Sequence, residues 1–174
     1  MPLPHGGPAD ARWQDKPGAR RAALTARRAL TADARAAGDR ARDAVLAPLL
    51  AGCRVASYEG FGTEPVAPLP PGALVPVLLP DRDLAWHTVD GAPGRLEDVD
   101  VVLVPALLVD RTGIRLGRGG GSYDRALPRA RGLVVALLHE GELVDALPAQ
   151  PHDVRVAAVA LPSGLVRCSG RMVG

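Results

Sequence analysis

The chain has 174 residues, the length of one ordinary domain with little room for a second. Lys+Arg 21 against Asp+Glu 19 leaves a net charge of +2, so no bulk charge draws it to nucleic acid or acidic lipid. With 3% aromatic residues it lacks base-stacking platforms, and its 47% hydrophobic content must build a core from Ala, Val and Leu. Two distant cysteines, Cys53 and Cys168, form no metal-type cluster, and a chain this long needs no disulfide staple; the expected setting is a reducing cytoplasm. Apolar runs such as 101–105 are far too short to span a bilayer, and no partner membrane or nucleic acid is expected.

Residues 1–14, rich in Pro and Gly, read as a disordered leader, and 15–174 as one domain. From Asp15 the pattern is helical: Pro17 suits a first turn, and Ala19, Ala22, Ala23, Leu24 and Leu30 make an apolar stripe. Thr31 is an N-cap signal for a second helix to about Leu50, with Ala37, Ala41, Val45, Leu46 and Leu49 as its buried face. Gly52 ends it, and the period changes. Segments 54–58, 74–79, 99–104, 133–138 and 154–160 are short and Val/Leu-rich, and read as strands; 84–89 is a weaker edge strand. Segments 122–130 and 140–147 read as short helices, while the four prolines of 65–72 mark a rigid loop. The expected fold is a layered α/β domain with a mostly parallel sheet flanked by helices and an N-terminal helical pair.

The chemistry concentrates in Arg115-Leu116-Gly117-Arg118-Gly119-Gly120-Gly121-Ser122-Tyr123-Asp124, placed between an apolar strand and a helix start. Glycines at such a junction can aim consecutive backbone N–H groups into one concavity, and Arg115 and Arg118 beside them can bind phosphate oxygens. No Walker lysine follows the glycines, and they do not follow the first strand as a dinucleotide fingerprint requires. Asp124 beside the loop can complete the coordination of a phosphate-borne Mg²⁺ or simply complement a helix start; Asp153 is a second carboxylate at a strand edge. Glu64, just past the first strand, can accept hydrogen bonds from an amino-heterocycle or be a solvated acid. Lys16 is the only lysine beside 20 arginines and shares a helix face with Arg20, as phosphate ligands or as a solvated pair. Trp86 and Phe61 read as core or pocket-wall residues.

The stretch PALLVDRTGIRLGRGGGSYDRAL resembles the signature of the 5-formyltetrahydrofolate cyclo-ligase family. Lys16, Arg20 and Arg27-Arg28, the loop Gly62-Thr63-Glu64-Pro65 and the late Pro151-His152-Asp153 follow in the family's order. The resemblance implies an enzyme that uses ATP and Mg²⁺ to phosphorylate a formyl oxygen, after which a neighbouring folate nitrogen closes the ring. By position it implies that Lys16, Arg20 and the run Arg115, Leu116, Gly117, Arg118, Gly119, Gly120, Gly121, Ser122 and Tyr123 bind ATP. Lys16, Arg115 and Arg118 would act on the transferred phosphate, Glu64 and Tyr123 would bind folate, and Asp124 and Asp153 would hold the metal. The expected partners are ATP and a reduced formyl-folate, with the protein a monomer. This chain departs from the pattern at Ala106, Ser122 and Gln150, and has only the proline-rich loop where relatives place a helix after Glu-Pro. Two alternatives remain: a nucleotide-binding homologue with an altered folate pocket, and a phosphosugar-binding or isomerase-like protein.

Overall fold

A computed structural model describes Trp13 and residues 15–170; the leader read over 1–14 otherwise lies outside the described residues. Two helices come first. In α1 (Lys16–Ala29) the Asp15 carboxylate caps Gly18 N–H and Pro17 sits in the first turn, where its missing N–H costs nothing. In α2 (Ala32–Leu50) Thr31 caps Ala34 N–H as read. Its buried face is centred differently, however. Ala37 is exposed, and Arg42 is fully buried, bonded to Asp39 and to the carbonyl of Leu138.

Among the described residues eleven strands follow. They are β1 (Val55–Ala56), β2 (Leu74–Leu78), β3 (Leu84–Thr88), β4 (Pro93–Gly94), β5 (Val101–Pro105), β6 (Leu108–Asp110), β7 (Arg115–Leu116), β8 (Leu133–Leu137), β9 (Leu143–Val144), β10 (Ala158–Leu161) and β11 (Gly164–Arg167). The main sheet runs β11-β10-β8-β5-β1-β2-β3-β4. Its centre, β10-β8-β5-β1-β2, is parallel, and antiparallel hairpins finish both edges. The mostly parallel α/β sheet is therefore as expected. Alternation along β5 explains why both faces are dry. Val102 and Val104 pack with Trp86, Ala126, Leu127 and Val134, while Val101 and Leu103 face Leu46 of α2 and Tyr58. Each such side chain stabilises the fold by roughly 1.5–3 kcal/mol.

Three expectations are corrected. Segment 140–147 is no helix: Gly141 takes φ +84°, a left-handed turn that ends any helical path, and Leu143–Val144 instead pairs in parallel with β6. Strand 99–104 does not lead by a plain turn to the glycines, because the β6–β7 hairpin intervenes, forming with β9 a second sheet β7-β6-β9. That small sheet gives α1 its docking surface: Ala19 and Ala23 pack on Leu108, Ile114, Leu116 and Val144. Phe61 is 74% exposed rather than a core or wall residue, whereas Trp86 is buried. The strand read at 154–160 pairs only from Ala158, and the helix begun at Ser122 is α3 (Ser122–Ala126), continued as a 3-10 turn.

The β6–β7 turn depends on Gly113, which has φ +94° and whose carbonyl accepts the Val156 N–H at 2.8 Å. A Cβ there would also collide with the Val156 carbonyl oxygen. Gly113→Ala is expected to cost about 1–3 kcal/mol, read as a lowered midpoint in thermal unfolding.

Candidate functional site

The order of the parallel strands reverses between β1 and β5, the point at which open α/β sheets leave a crevice beyond their carboxyl ends. Glu64, beyond β1, and Pro105–Leu107, at the end of β5, line such a crevice, a cavity of about 470 Å³. Every site residue read from the sequence lines this one cavity: Lys16, Arg20, Glu64, the whole run Arg115–Asp124, and Asp153. These come from α1, the loop after β1, β7 with α3, and the approach to β10, so only the fold unites them.

The glycine loop is shaped by its backbone. Gly119 and Gly121 have φ +105° and +75°, positions that glycine adopts without strain. Helix α1 holds the loop from above, with Arg20 Nε donating to the Gly117 carbonyl at 2.9 Å. Because α3 spans five residues, the loop amides rather than a long helix dipole dominate the anion-binding potential.

Three of the cations here face a carboxylate. Lys16 Nζ donates to both oxygens of Asp153, at 2.9 and 3.0 Å, and to Gln150 Oε1 at 3.3 Å. Burial alone would raise the Asp153 carboxyl, but the hydrogen bonds from Lys16 and the Gln150 N–H hold it below the usual carboxylate range. Arg118 Nε donates to Glu64 Oε1 at 3.0 Å and its guanidinium lies over the Phe61 ring. Arg115 lines the cavity beside the loop from a buried position. It is buried in β7, donates to the Pro105 carbonyl at 3.0 Å, and meets Asp124 at 3.7 Å, an ion pair too long for a hydrogen bond. Burial pulls its guanidinium below the usual range and Asp124 partly offsets this, while its Nε has no protein partner. Arg115 also sits over the Tyr123 ring, whose phenol burial pushes well upward, so it stays protonated.

Asp124 Oδ1 lies 3.4 Å from the Val154 N–H, so the two candidate metal carboxylates approach the cavity on adjoining backbone. Among the described residues no group of three or more His, Cys, Asp or Glu is placed to hold a metal. Two carboxylates do suit Mg²⁺, which keeps waters and phosphate oxygens for its other positions.

Sequence reasoning missed the wall behind this cavity. Arg27, Glu142 and His139 form a buried polar cluster there, against the carbonyls of Ala106 and Thr63. The available signals were Arg27, which stands in the family's order without a role of its own, and His139 directly after an apolar strand, where carboxyl ends gather functional groups.

Comparison with known proteins places these residues in context. The sequence model of the 5-formyltetrahydrofolate cyclo-ligase family matches residues 88–162. A 5-formyltetrahydrofolate cyclo-ligase of Mycolicibacterium smegmatis is 52% identical over 67 residues, covering 37% of this chain and 34% of that protein. The Escherichia coli K12 protein of the same name is 38% identical over 71 residues, 39% of each chain. The matched stretch thus spans a little over a third of these curated relatives. The fold extends further. A 5,10-methenyltetrahydrofolate synthetase from Mycoplasma pneumoniae superposes with TM-score 0.78 at 21% identity, over 86% of this chain and 99% of that one. The Aquifex aeolicus 5,10-methenyltetrahydrofolate synthetase gives TM-score 0.71 at 24% identity, over 91% and 96%. No helix among the described residues is long and apolar enough to cross a membrane.

Proposed function

We propose that this chain, whose residues 88–162 carry cyclo-ligase family sequence, uses ATP to convert 5-formyltetrahydrofolate to 5,10-methenyltetrahydrofolate. The observation that carries this reading is the convergence of Lys16, Arg20, Glu64, the glycine loop and both aspartates on one cavity at the strand-order reversal.

A formyl oxygen is a poor leaving group, and phosphorylation makes it a good one. The oxygen attacks the γ-phosphorus and ADP departs; the neighbouring folate nitrogen then attacks the formyl carbon and inorganic phosphate leaves with the oxygen. The protein's work is positioning and charge stabilisation. Amides of Gly117–Gly121 receive phosphate oxygens, with Lys16 and Arg20 reaching in from α1. Arg115 is a buried cation whose unpartnered Nε suits an anionic oxygen. Arg118 leaves Glu64 for phosphate as nucleotide enters, which frees the Glu64 carboxylate to accept the N–H groups of the pterin ring. Tyr123, kept protonated by burial, is a donor beside the same loop. Magnesium, when bound, would be held by Asp124 and Asp153 and would neutralise charge on the triphosphate.

The test is formation of methenyl product by absorbance, with the full chain, 5-formyltetrahydrofolate, Mg²⁺ and ATP. One ADP per product is expected, and none without ATP. The connection from 57 to 73 contains no helix, which favours as second reading a nucleotide-binding homologue with an altered folate pocket. ATP binding without product would select that reading. Displacement of ATP by sugar phosphates would overturn both in favour of a phosphosugar site.

A further inference from the structure

The buried cluster behind the cavity has no part in the reaction just described, yet it bonds to one cavity-lining residue, Ala106, and to Thr63, the neighbour of another, Glu64. Arg27 on α1 is 1% exposed. Its Nε and Nη2 donate to the two oxygens of Glu142 at 2.7 and 2.9 Å, and Nη2 also donates to the carbonyl of Ala106, a cavity-lining residue. Glu142 in turn accepts the His139 backbone N–H at 2.8 Å, fixing the chain just beyond β8. The His139 ring, 4% exposed, lies with Nε2 2.9 Å from the carbonyl oxygen of Thr63. A carbonyl only accepts, so Nε2 carries the proton and donates it.

Thr63 precedes Glu64 in a connection that has neither helix nor strand from 57 to 73. The loop backbone is tied down at few points nearby. Tyr58 donates its hydroxyl to the Pro65 carbonyl at 2.8 Å, and Glu64 N–H donates to Phe61 within the loop itself at 3.1 Å. The Glu64 carboxylate is bound only to Phe61 N–H and to Arg118, the latter a partner the proposed reaction removes. Val66 N–H also donates to Asp39 of α2 at 3.1 Å, beyond Glu64; once Arg118 turns to phosphate, the bond from His139 is what ties Thr63, the residue before Glu64, to the end of β8.

We propose that His139 is a positioning residue. Its Nε2–H, anchored through Glu142 to Arg27, holds the Thr63–Glu64 backbone so that Glu64 meets the folate ring. The role rests on the cyclo-ligase reading; the contact itself does not. It predicts a selective defect, because the nucleotide residues on α1 and the glycine loop do not depend on this bond.

Two polar variants separate position from packing. Glutamine places an amide N–H near the site of Nε2, whereas asparagine ends near Nδ1 and falls short of Thr63. His139→Asn is expected to raise KM for the formyl-folate roughly 3- to 10-fold, with KM for ATP and kcat at saturating folate within about twofold. His139→Gln is expected to return folate KM towards wild type. Hydrogen exchange at the Glu64 amide gives a readout independent of turnover: faster in His139→Asn, unchanged in His139→Gln, with β5 amides unchanged in both. Parallel rises in both KM values with no rescue by glutamine, or exchange at Glu64 unaltered in His139→Asn, would overturn the positioning role. Altered exchange in a chain whose wild type makes no methenyl product would instead sink the cyclo-ligase reading and leave the contact standing.

Discussion

Arg27→Met is expected to lower stability by about 3–5 kcal/mol, the usual cost of leaving one half of a buried ion pair. The Glu142 side chain is 9% exposed and would lose both guanidinium bonds, keeping only the His139 N–H. The Ala106 carbonyl would lose its donor as well. In a chain of this size the unfolding midpoint should fall by roughly 10 °C or more. Glu142→Leu should be comparably damaging, since it strands the Arg27 guanidinium, already carrying one unpartnered nitrogen. The double variant Arg27→Met/Glu142→Leu is the informative one. With both charges gone and the space filled by apolar atoms, most of the loss should be recovered, giving a coupling of about 2 kcal/mol or more. Urea unfolding of the four proteins measures it, and additive single losses would show that the pair acts through packing alone.

That cluster also shows where sequence reading loses its grip. The two-sided burial of β5 and β8 and the apolar stripe of α1 follow from local pattern, and the structure places them as pattern dictates. The 140–147 segment has apolar residues at helical spacing, but Gly141 turns left-handed and the Glu142 carboxylate is taken by Arg27, 115 residues earlier in the chain. A long-range ion pair outweighs a weak local preference, and no window of eight residues contains it. Edge strand β11 was invisible for a related reason: its exposure alternates, and only pairing with β10 makes it a strand.

The site divides in the same way. The glycine loop announces itself because φ of +105° and +75° must be met by glycine, which leaves a mark in the sequence. Glu64, Lys16 and Asp153 carry no such mark, and each reads equally well as a solvated charge. What sets them apart is the crevice at the β1–β5 strand reversal, which gathers them from three parts of the chain around the glycine loop. Arg115 shows a different gap: it reads as a phosphate ligand beside the loop, and local pattern does not disclose that the hairpin between β5 and the glycines buries it in β7, paired with Asp124, while it still lines the cavity.

Lys16→Ala is expected to raise the ATP requirement roughly 10- to 100-fold, the loss of a charge-assisted phosphate contact of about 1.5–3 kcal/mol. Its neutral-pH stability should fall much less, by about 1 kcal/mol or below, because the pair it makes with Asp153 is partly exposed on the lysine side. The two effects separate by pH. The folded-state carboxyl of Asp153 lies below its ordinary range, so its contribution to stability is present above that range and is lost as pH falls through the lowered value. Removing Lys16 removes most of that depression. The stability gap between wild type and Lys16→Ala should therefore be open at pH 7 and close as both proteins are acidified through the lowered value, where the carboxyl becomes protonated in both. Chemical unfolding at several pH values reads the gap, and ATP titration of turnover reads the contact. A gap that persists unchanged into acid would mean the lysine stem, rather than its charge, supports the fold. An unaltered ATP dependence would return Lys16 to a structural partner of Asp153 and leave the phosphates to Arg20, Arg115, Arg118 and the loop amides.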